Sequence, residues 1–169
     1  MKDFINCYLK EVSEICSLIN QDEIENVAND IIKVINNLGR IFFIGVGGSA
    51  GNASHAVCDL RKLTGIECYA PSDNIYELSD RTNDEGWDSV FSGWLKVSQL
   101  SHKDLNFVFS FGGGSRERNI SPGIVNAIEF AREVNAKVFG IIGKEQGYTR
   151  QVADASILVP VVNKQHITP

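Results

Sequence analysis

The most constraining stretch of the chain is an apolar run that ends among glycines and is followed by small residues. Residues 40–59 read RIFFIGVGGSAGNASHAVCD, with the apolar run at 41–46. An apolar run of this length bounded by glycine predicts a strand that is buried on both faces of a parallel sheet. The small residues after it predict a helix, so the stretch is the strand, turn and helix of an α/β fold.

The turn between this strand and this helix is the first candidate binding site. It contains Gly47, Gly48 and Ser49. Glycines let the backbone approach a ligand, and the first N–H groups of a helix have no internal partners and point toward it. The Ser49 hydroxyl adds one more donor. The turn therefore predicts a phosphate cradle.

Two other interpretations of this turn stay open at this point. The letters GVGGSA also fit the loose dinucleotide fingerprint G-x-G-x-x-G/A, which requires an acid near the end of the second strand. Glu67 and Asp73 are the nearest acids, and neither stands at a convincing position. The third interpretation is a tight turn that binds nothing.

Length, charge and cysteines exclude several classes of protein. A chain of 169 residues is one domain by prior expectation. Its net charge of −5 argues against nucleic acid or an anionic membrane as partner, and an anionic ligand must then be held by local backbone dipoles. No apolar run approaches a membrane span. The four cysteines lack C-x-x-C spacing and lie in apolar contexts, so we expect reduced thiols and a cytoplasmic location.

The remainder of the chain alternates between helical and strand patterns. Helices are predicted at 3–19 and 22–38, the second with a capping box at Asp22 and Glu25 and a stop at Gly39. Ser121 and Pro122 predict the N-cap and first residue of a later helix. The other expected segments are a polar connection at 61–67, a strand at 68–70, a helix at 73–82, a polar turn at 83–86, a helix at 87–97, strands at 105–111, 137–142 and 156–162, and a short helix at 149–153.

This alternation predicts a three-layer, doubly wound parallel sheet with helices on both faces, preceded by an N-terminal helical pair. Residues 1–38 would hold that pair, packing on the core and on a neighbouring subunit, and 39–169 would form the binding domain. Ligands of such folds bind at the carboxyl ends of the strands.

A second glycine- and serine-rich loop follows another predicted strand. Residues 110–121 read SFGGGSRERNIS and offer Ser110, Ser115 and Ser121, with a helix N-terminus behind them. A dinucleotide fold does not require a second loop of this kind at the same sheet edge. The pair of loops therefore favours a sugar phosphate. We interpret Arg116 and Arg118 mainly as solvated loop residues.

The chain resembles the sugar isomerase (SIS) domain family and, within it, the phosphoheptose isomerases. The resemblance rests on GVGGSAGNASHAVCDL, TNDEGW and NISPG, and it runs from the first helices to about Val162. It implies a flavodoxin-like parallel sheet and a homotetramer with sites between subunits. It also implies aldose–ketose isomerisation of sedoheptulose 7-phosphate through an enediol, with no nucleotide.

The resemblance also assigns site residues. His55 and Asp59 match the family's metal-binding pair, four apart on one helix face, so zinc is possible, although a site needs further ligands. Asp59 is the candidate base or metal ligand, with His55 beside it. The residues implied to bind substrate are Gly47, Gly48, Ser49, Asn83, Asp84, Ser110, Gly112, Gly113, Ser115 and Ser121, with Ser115 and Ser121 competing for one phosphate role.

The chain departs from the family pattern at several positions. Val46 stands where the family usually has Asn, Gly112 replaces a serine, and Asp59 is one methylene shorter than Glu. The family continues with a helix that carries a Gln and a His of the active site, and we expect that helix to be absent here. Gln165 and His166 are interpreted mainly as a polar tail. The alternative to an isomerase is a non-catalytic phosphosugar-binding module, or a truncated isomerase, of the same fold.

Overall fold

The computed structural model describes residues 1–163, over which seven α-helices and five strands follow one another. A π-helical turn at Leu60–Thr64 extends α3, and 3-10 turns occupy Pro71–Asp73 and Trp87–Ser89. Within the described residues, no helix is long and apolar enough to cross a membrane. The elements are α1 Lys2–Leu18, α2 Gln21–Asn36, β1 Ile41–Gly45, α3 Gly48–Asp59, β2 Cys68–Tyr69, α4 Ile75–Glu85, α5 Val90–Val97, β3 Leu105–Ser110, α6 Pro122–Glu133, β4 Lys137–Ile142, α7 Tyr148–Val152 and β5 Ala155–Leu158.

The five strands form one parallel sheet in the order β2-β1-β3-β4-β5. Ile41 lies opposite Cys68 on one side and Leu105 on the other. This is the flavodoxin-like order of a doubly wound sheet, and it confirms the predicted fold class. The order reverses between β1 and β3, so a crevice opens where these two strands end.

Helices cover both faces of the sheet, which makes three layers. Alternate residues of β1 divide between two cores, since Phe42 and Ile44 pack on one face and Ile41 and Phe43 on the other. The first core is completed by α5 and α6, and the second by α2 and α3.

The ends of α2 differ from the prediction. The helix begins one residue earlier than expected, so Asn20 is the N-cap and its Oδ1 accepts the N–H of Asp22 at 2.9 Å. The predicted capping box is therefore wrong. At the other end Leu38, not Gly39, has the left-handed backbone, with φ 58°. Gly39 is required for a different reason, because a Cβ there would overlap the Lys103 carbonyl oxygen.

The predicted polar turn at 83–86 is also mostly helix. Residues 83–85 form the last turn of α4, and only Gly86, with φ 83°, leaves it. The cause is Arg81, which forms ion pairs with Glu77 at 2.9 Å and Glu85 at 3.4 Å, one turn away on either side. Such i,i+4 pairs stabilise a helix that Asn and Asp alone would end.

The two N-terminal helices are attached to the sheet to different degrees. Glu23 of α2 binds Arg150 at 2.7 Å and accepts the Leu158 N–H at 2.9 Å, which fixes α2 against β5. In α1, by contrast, Ile15 is the one residue classed as buried, and Phe4 is 57% exposed. Most of the apolar face of α1 therefore lies outside the core of this protomer.

A buried carboxylate joins the starts of the two central strands. Asp104, 2% exposed, accepts hydrogen bonds from the Arg40 guanidinium and backbone N–H and from the Ser101 hydroxyl and backbone N–H. Burial by itself would raise the pKa of the Asp104 carboxyl, but the hydrogen bonds from Arg40 and Ser101 outweigh it and hold the pKa below its usual value. The ionised form of Asp104 is therefore the one that stabilises the fold.

We expect Asp104→Asn to lower the free energy of unfolding at pH 7 by about 3 kcal/mol, because the change leaves Arg40 without its ionic partner. The lowered pKa means that the Asp104 contribution is complete above the unfolded-state value of about 4 and is lost as pH falls through the folded value. Urea unfolding from pH 7 to pH 3 should thus show wild type and variant converging only at the acidic end.

The matched control is Asp30→Asn, which removes a partly exposed carboxylate paired with Lys33 and should cost less than about 1 kcal/mol. A gap between wild type and Asp104→Asn that stays constant down to pH 3 would contradict the assignment.

Candidate active site

A cleft of about 670 Å³ opens at the carboxyl ends of β1, β3 and β4. Its floor is the crevice between β1 and β3, one wall is Ile15 of α1, and another is residues 159–161, which follow β5. The full lining is Ile15, Val46, Gly48, Ser49, Asn52, Phe109, Ser110, Phe111, Gly112, Ser121, Ile124, Ile141, Ile142, Gly143, Val159, Pro160 and Val161.

The polar groups of the cleft come from the two predicted loops and from one further residue of α3. Both loops reach it, as the pattern of two glycine–serine loops at one sheet edge predicted. None of the described residues that line the cleft is charged. An anion bound here would therefore be held by backbone N–H groups, hydroxyls and an amide. Such local dipoles can bind an anion even though the chain as a whole has a net charge of −5.

The first loop is shaped by glycines with different tasks. A Cβ at Gly45 would overlap the backbone of Ser49, so Gly45 permits the tight exit from β1. Gly47, the N-cap of α3, has φ 62° and ψ −124°, a conformation that favours glycine. A Cβ at Gly48 would meet nothing within 4 Å. The missing side chain of Gly48 therefore leaves open space beside the N-terminus of α3, where a ligand can approach the backbone.

The second loop is held from behind by its own hydrogen bonds. Ser110 Oγ accepts the Gly113 N–H at 3.1 Å, and the Gly113 carbonyl accepts the N–H and the hydroxyl of Thr149, each at 2.8 Å. Gly113 has φ 67° and packs against Gly147, whereas a Cβ at Gly112 would meet nothing within 4 Å. Gly113 thus fixes the shape of the loop, and Gly112 faces the cleft.

The structure separates the two competing serines. Ser115 forms an antiparallel bridge with Ile120, its hydroxyl accepts the Arg118 N–H at 3.3 Å, and it does not line the cleft. Ser121 lines the cleft and is the N-cap of α6, but its hydroxyl makes no capping bond, contrary to the prediction. The reason is its left-handed backbone, φ 50° and ψ 53°, in place of the extended conformation of a capping serine.

The predicted catalytic pair lies outside this cleft. His55 Nε2 and Asp59 Oδ2 are 3.3 Å apart on α3, with side chains 77% and 54% exposed. Among residues 1–163, no group of three or more His, Cys, Asp or Glu side chains could hold a metal. Because zinc takes four ligands, His55 and Asp59 of one protomer do not make a complete site.

The remaining predicted site residues that the structure describes do not line the cleft either. Asn83 and Asp84 are exposed at the end of α4, joined by a 2.7 Å hydrogen bond, and they do not line the cleft. Gln165 and His166 lie outside the described residues.

Three parts of the cleft were missed in the sequence, namely Ile15 of α1, Asn52 of α3 and residues 159–161. Asn52 follows Ser49 by three residues, so helical spacing places both on one face of α3 and was the available signal. The apolar wall at 159–161 has no such signal, because the predicted last strand, 156–162, ends early at Leu158. The residues that follow, 159–161, line the cleft.

Comparison with known proteins agrees with this geometry. No protein-family model matches the chain. It is 29% identical over 161 residues to the phosphoheptose isomerase of Helicobacter hepaticus, which covers 92% of this chain and 77% of that protein. The structure of a phosphoheptose isomerase from Francisella tularensis has a TM-score of 0.82 at 22% identity, over 98% of this chain and 88% of that one. The chain is phosphoheptose isomerase-like.

The same fold is also found in a regulator. The sugar isomerase domain of the RpiR transcription factor from Sphaerobacter thermophilus matches with a TM-score of 0.64 at 15% identity, over 96% of this chain and 76% of that one. At this identity the likeness concerns the fold alone.

We expect Gly48→Ala to weaken the binding of sedoheptulose 7-phosphate without destabilising the protein. The new methyl group meets no protein atom within 4 Å but occupies the space beside the α3 N-terminus. Gly51→Ala is the matched control, since its Cβ is also unopposed and Gly51 does not line the cleft. Both variants should be as stable as wild type or more stable, by up to about 1 kcal/mol. Calorimetric titration that finds equal affinity in the two variants would refute the cradle.

A second pair of variants tests the serine assignment. Ser121→Gly should lower the affinity for sedoheptulose 7-phosphate by about tenfold or more, the value of a hydrogen bond to a charged group. Glycine is chosen because it tolerates the left-handed backbone at this position. Ser115→Gly should leave the affinity unchanged, and the reverse ranking would assign the phosphate to Ser115.

Proposed function

We propose that the protein is an aldose–ketose isomerase that converts sedoheptulose 7-phosphate into D-glycero-D-manno-heptose 7-phosphate. The observation that carries the proposal is the uncharged cleft in which both glycine–serine loops meet at the ends of β1 and β3. The similarity to proteins named phosphoheptose isomerase supports the same reaction.

The phosphate of the substrate is proposed to bind where Gly48, Ser49, Gly112 and Ser121 converge. The first N–H groups of α3 stabilise negative charge there, and the Ser49 and Ser121 hydroxyls add donors. Binding energy gained at the phosphate positions the reacting carbons without itself taking part in the chemistry. The strand order also favours a phosphosugar. Dinucleotides are commonly bound by sheets of order 3-2-1-4-5-6, whereas this sheet has the order β2-β1-β3-β4-β5.

Isomerisation moves a proton between adjacent carbons, so a base must remove it and return it to the neighbouring carbon. We assign the base to Asp59, with His55, 3.3 Å away, orienting the carboxylate. Asp59 is 54% exposed and does not line the cleft of its own protomer. We therefore propose that Asp59 acts on a substrate held in the cleft of a neighbouring subunit.

This assignment requires an oligomer, and a homotetramer is proposed. The α1 helix supplies a surface for assembly, because it carries exposed apolar side chains and buries little in its own protomer. Its exposed large apolar residues are Phe4, Ile5, Leu9 and Leu18. In this division residues 1–38 carry the assembly helix and 39–169 the phosphosugar-binding domain.

Zinc and location complete the proposal. A zinc ion would polarise the reacting oxygens of the substrate. It would need two ligands beyond His55 and Asp59 from outside the described part of one protomer, and no step is assigned to it. A cytoplasmic location is supported by the four cysteines, which are all free thiols.

The alternative is a non-catalytic phosphosugar-binding module. It is favoured by the absence of an acid or base among the described lining residues and by the likeness in fold to a domain of a transcription factor. The two functions differ in one measurement. The isomerase both binds sedoheptulose 7-phosphate and turns it over, whereas the module binds it without turnover. Binding of NAD with no response to the sugar phosphate would exclude both.

A subunit complementation experiment tests the shared site. Asp59→Asn should abolish turnover while keeping affinity for the substrate, and the double variant Gly48→Ala, Ser121→Gly should abolish binding. Co-expressed at equal levels, the two inactive chains should regain about a quarter of wild-type turnover. The reason is that one site in four of a randomly mixed oligomer combines an intact cleft with an intact Asp59 from its neighbour.

The controls distinguish the ways in which this experiment can fail. The turnover of the purified Asp59→Asn homo-oligomer alone, at the same total protein concentration, gives the background activity. No recovery in a mixed oligomer that light scattering and mass spectrometry show to have formed would place Asp59 and the cleft in the same chain.

A further inference from the structure

A second cavity lies at the amino ends of β3 and β4, opposite the carboxyl ends where the active-site cleft opens. Its volume is about 620 Å³, within the range of small-molecule sites. It is enclosed by the C-terminal half of α2, the loop before β3 and the first residues of β4, with Val34 and Phe139 as its apolar lining. Its polar lining consists of Asp30, Lys33, Asn37, His102, Lys103 and Lys137.

Positive charge collects around this cavity from three separate segments. Lys33 is paired with Asp30, and Lys137 with Asp154 at 2.9 Å, but Lys103 has no ion-pair partner among residues 1–163. Each ammonium group has three donors, so the paired lysines also keep donors for a ligand. Lys33 alone would be explained by the last turn of α2, where a cation is stabilised by the helix dipole. Lys103 and His102 do not lie on that helix, and no ion pair among residues 1–163 accounts for Lys103.

We propose that this cavity, which we call the basal pocket, binds a small multivalent anion carrying phosphate or carboxylate groups. Lysines bind such groups as point charges, and the concentration of three of them runs against the net charge of −5. The basal pocket is distinct from the active-site cleft, because β3 and β4 each run six residues from one to the other, about 20 Å. An anion in one site does not contact the other.

The test uses pyrophosphate as probe in the 169-residue protein carrying Gly48→Ala and Ser121→Gly, the cleft-deficient background in which binding in the cleft is abolished. Calorimetry at low ionic strength should detect one site per chain. The change Lys33→Gln, Lys103→Gln should lower its affinity by about tenfold or more, since hydrogen bonds to two charged donors are lost. The matched control, Lys62→Gln, Lys96→Gln, removes the same charge from exposed positions elsewhere and should leave the affinity unchanged.

Thermal unfolding of both double variants checks the fold, which exposed ion pairs affect little. Titration with citrate separates the two anion classes: equal affinity indicates recognition of charge number, and binding of pyrophosphate alone indicates a phosphate site. Equal pyrophosphate affinity in the two double variants would overturn the proposal. The absence of detectable binding at millimolar pyrophosphate to the cleft-deficient protein, with all its lysines intact, would also overturn the proposal.

Discussion

The side-by-side pairing of β1 with β3 is the constraint on which the rest of the structure depends. Both strands are buried on both faces, so each requires a strand on either side and a helix layer above and below. The helix that follows β1 returns to β2 on one side, whereas the helix that follows β3 leads to β4 on the other. The connections diverge where the two strands end, and this divergence opens the cleft.

The glycines around the cleft perform two physically different tasks. Gly45 and Gly113 are required by the protein itself, since a side chain there would meet neighbouring backbone. Gly48 and Gly112 face open space, so their lack of a side chain serves the ligand. Gly45 and Gly113 fix the loops in place, and Gly48 and Gly112 leave a gap between the loops. The proposed anion site is thus preorganised, because the loops are already ordered in the folded protein before a ligand binds.

The cleft and the proposed base are separated in this chain. The cleft contains hydroxyls, an amide and backbone dipoles but no described ionisable side chain, while His55 and Asp59 lie in solvent on the outer part of α3. A neutral cleft avoids burying cations that would need partners in the empty protein. In the proposed shared site the carboxylate of Asp59 comes from a different subunit, and the proposed assembly accounts for the exposed apolar face of α1.

The sequence by itself determined the strands, their parallel arrangement and the meeting of the two loops, because apolar runs and glycine turns are local signals. It also placed His55 and Asp59 on one helix face through their spacing. Two predicted boundaries were wrong. The i,i+4 ion pairs of Arg81, which are local contacts within one helix, extended α4 through residues expected to turn, and the early end of β5 brought Val159 and Val161 to the cleft. Only the tertiary structure showed that Ser121 lines the cleft and that Ser115 does not, because this depends on a left-handed backbone at Ser121 and a strand-like bridge at Ser115.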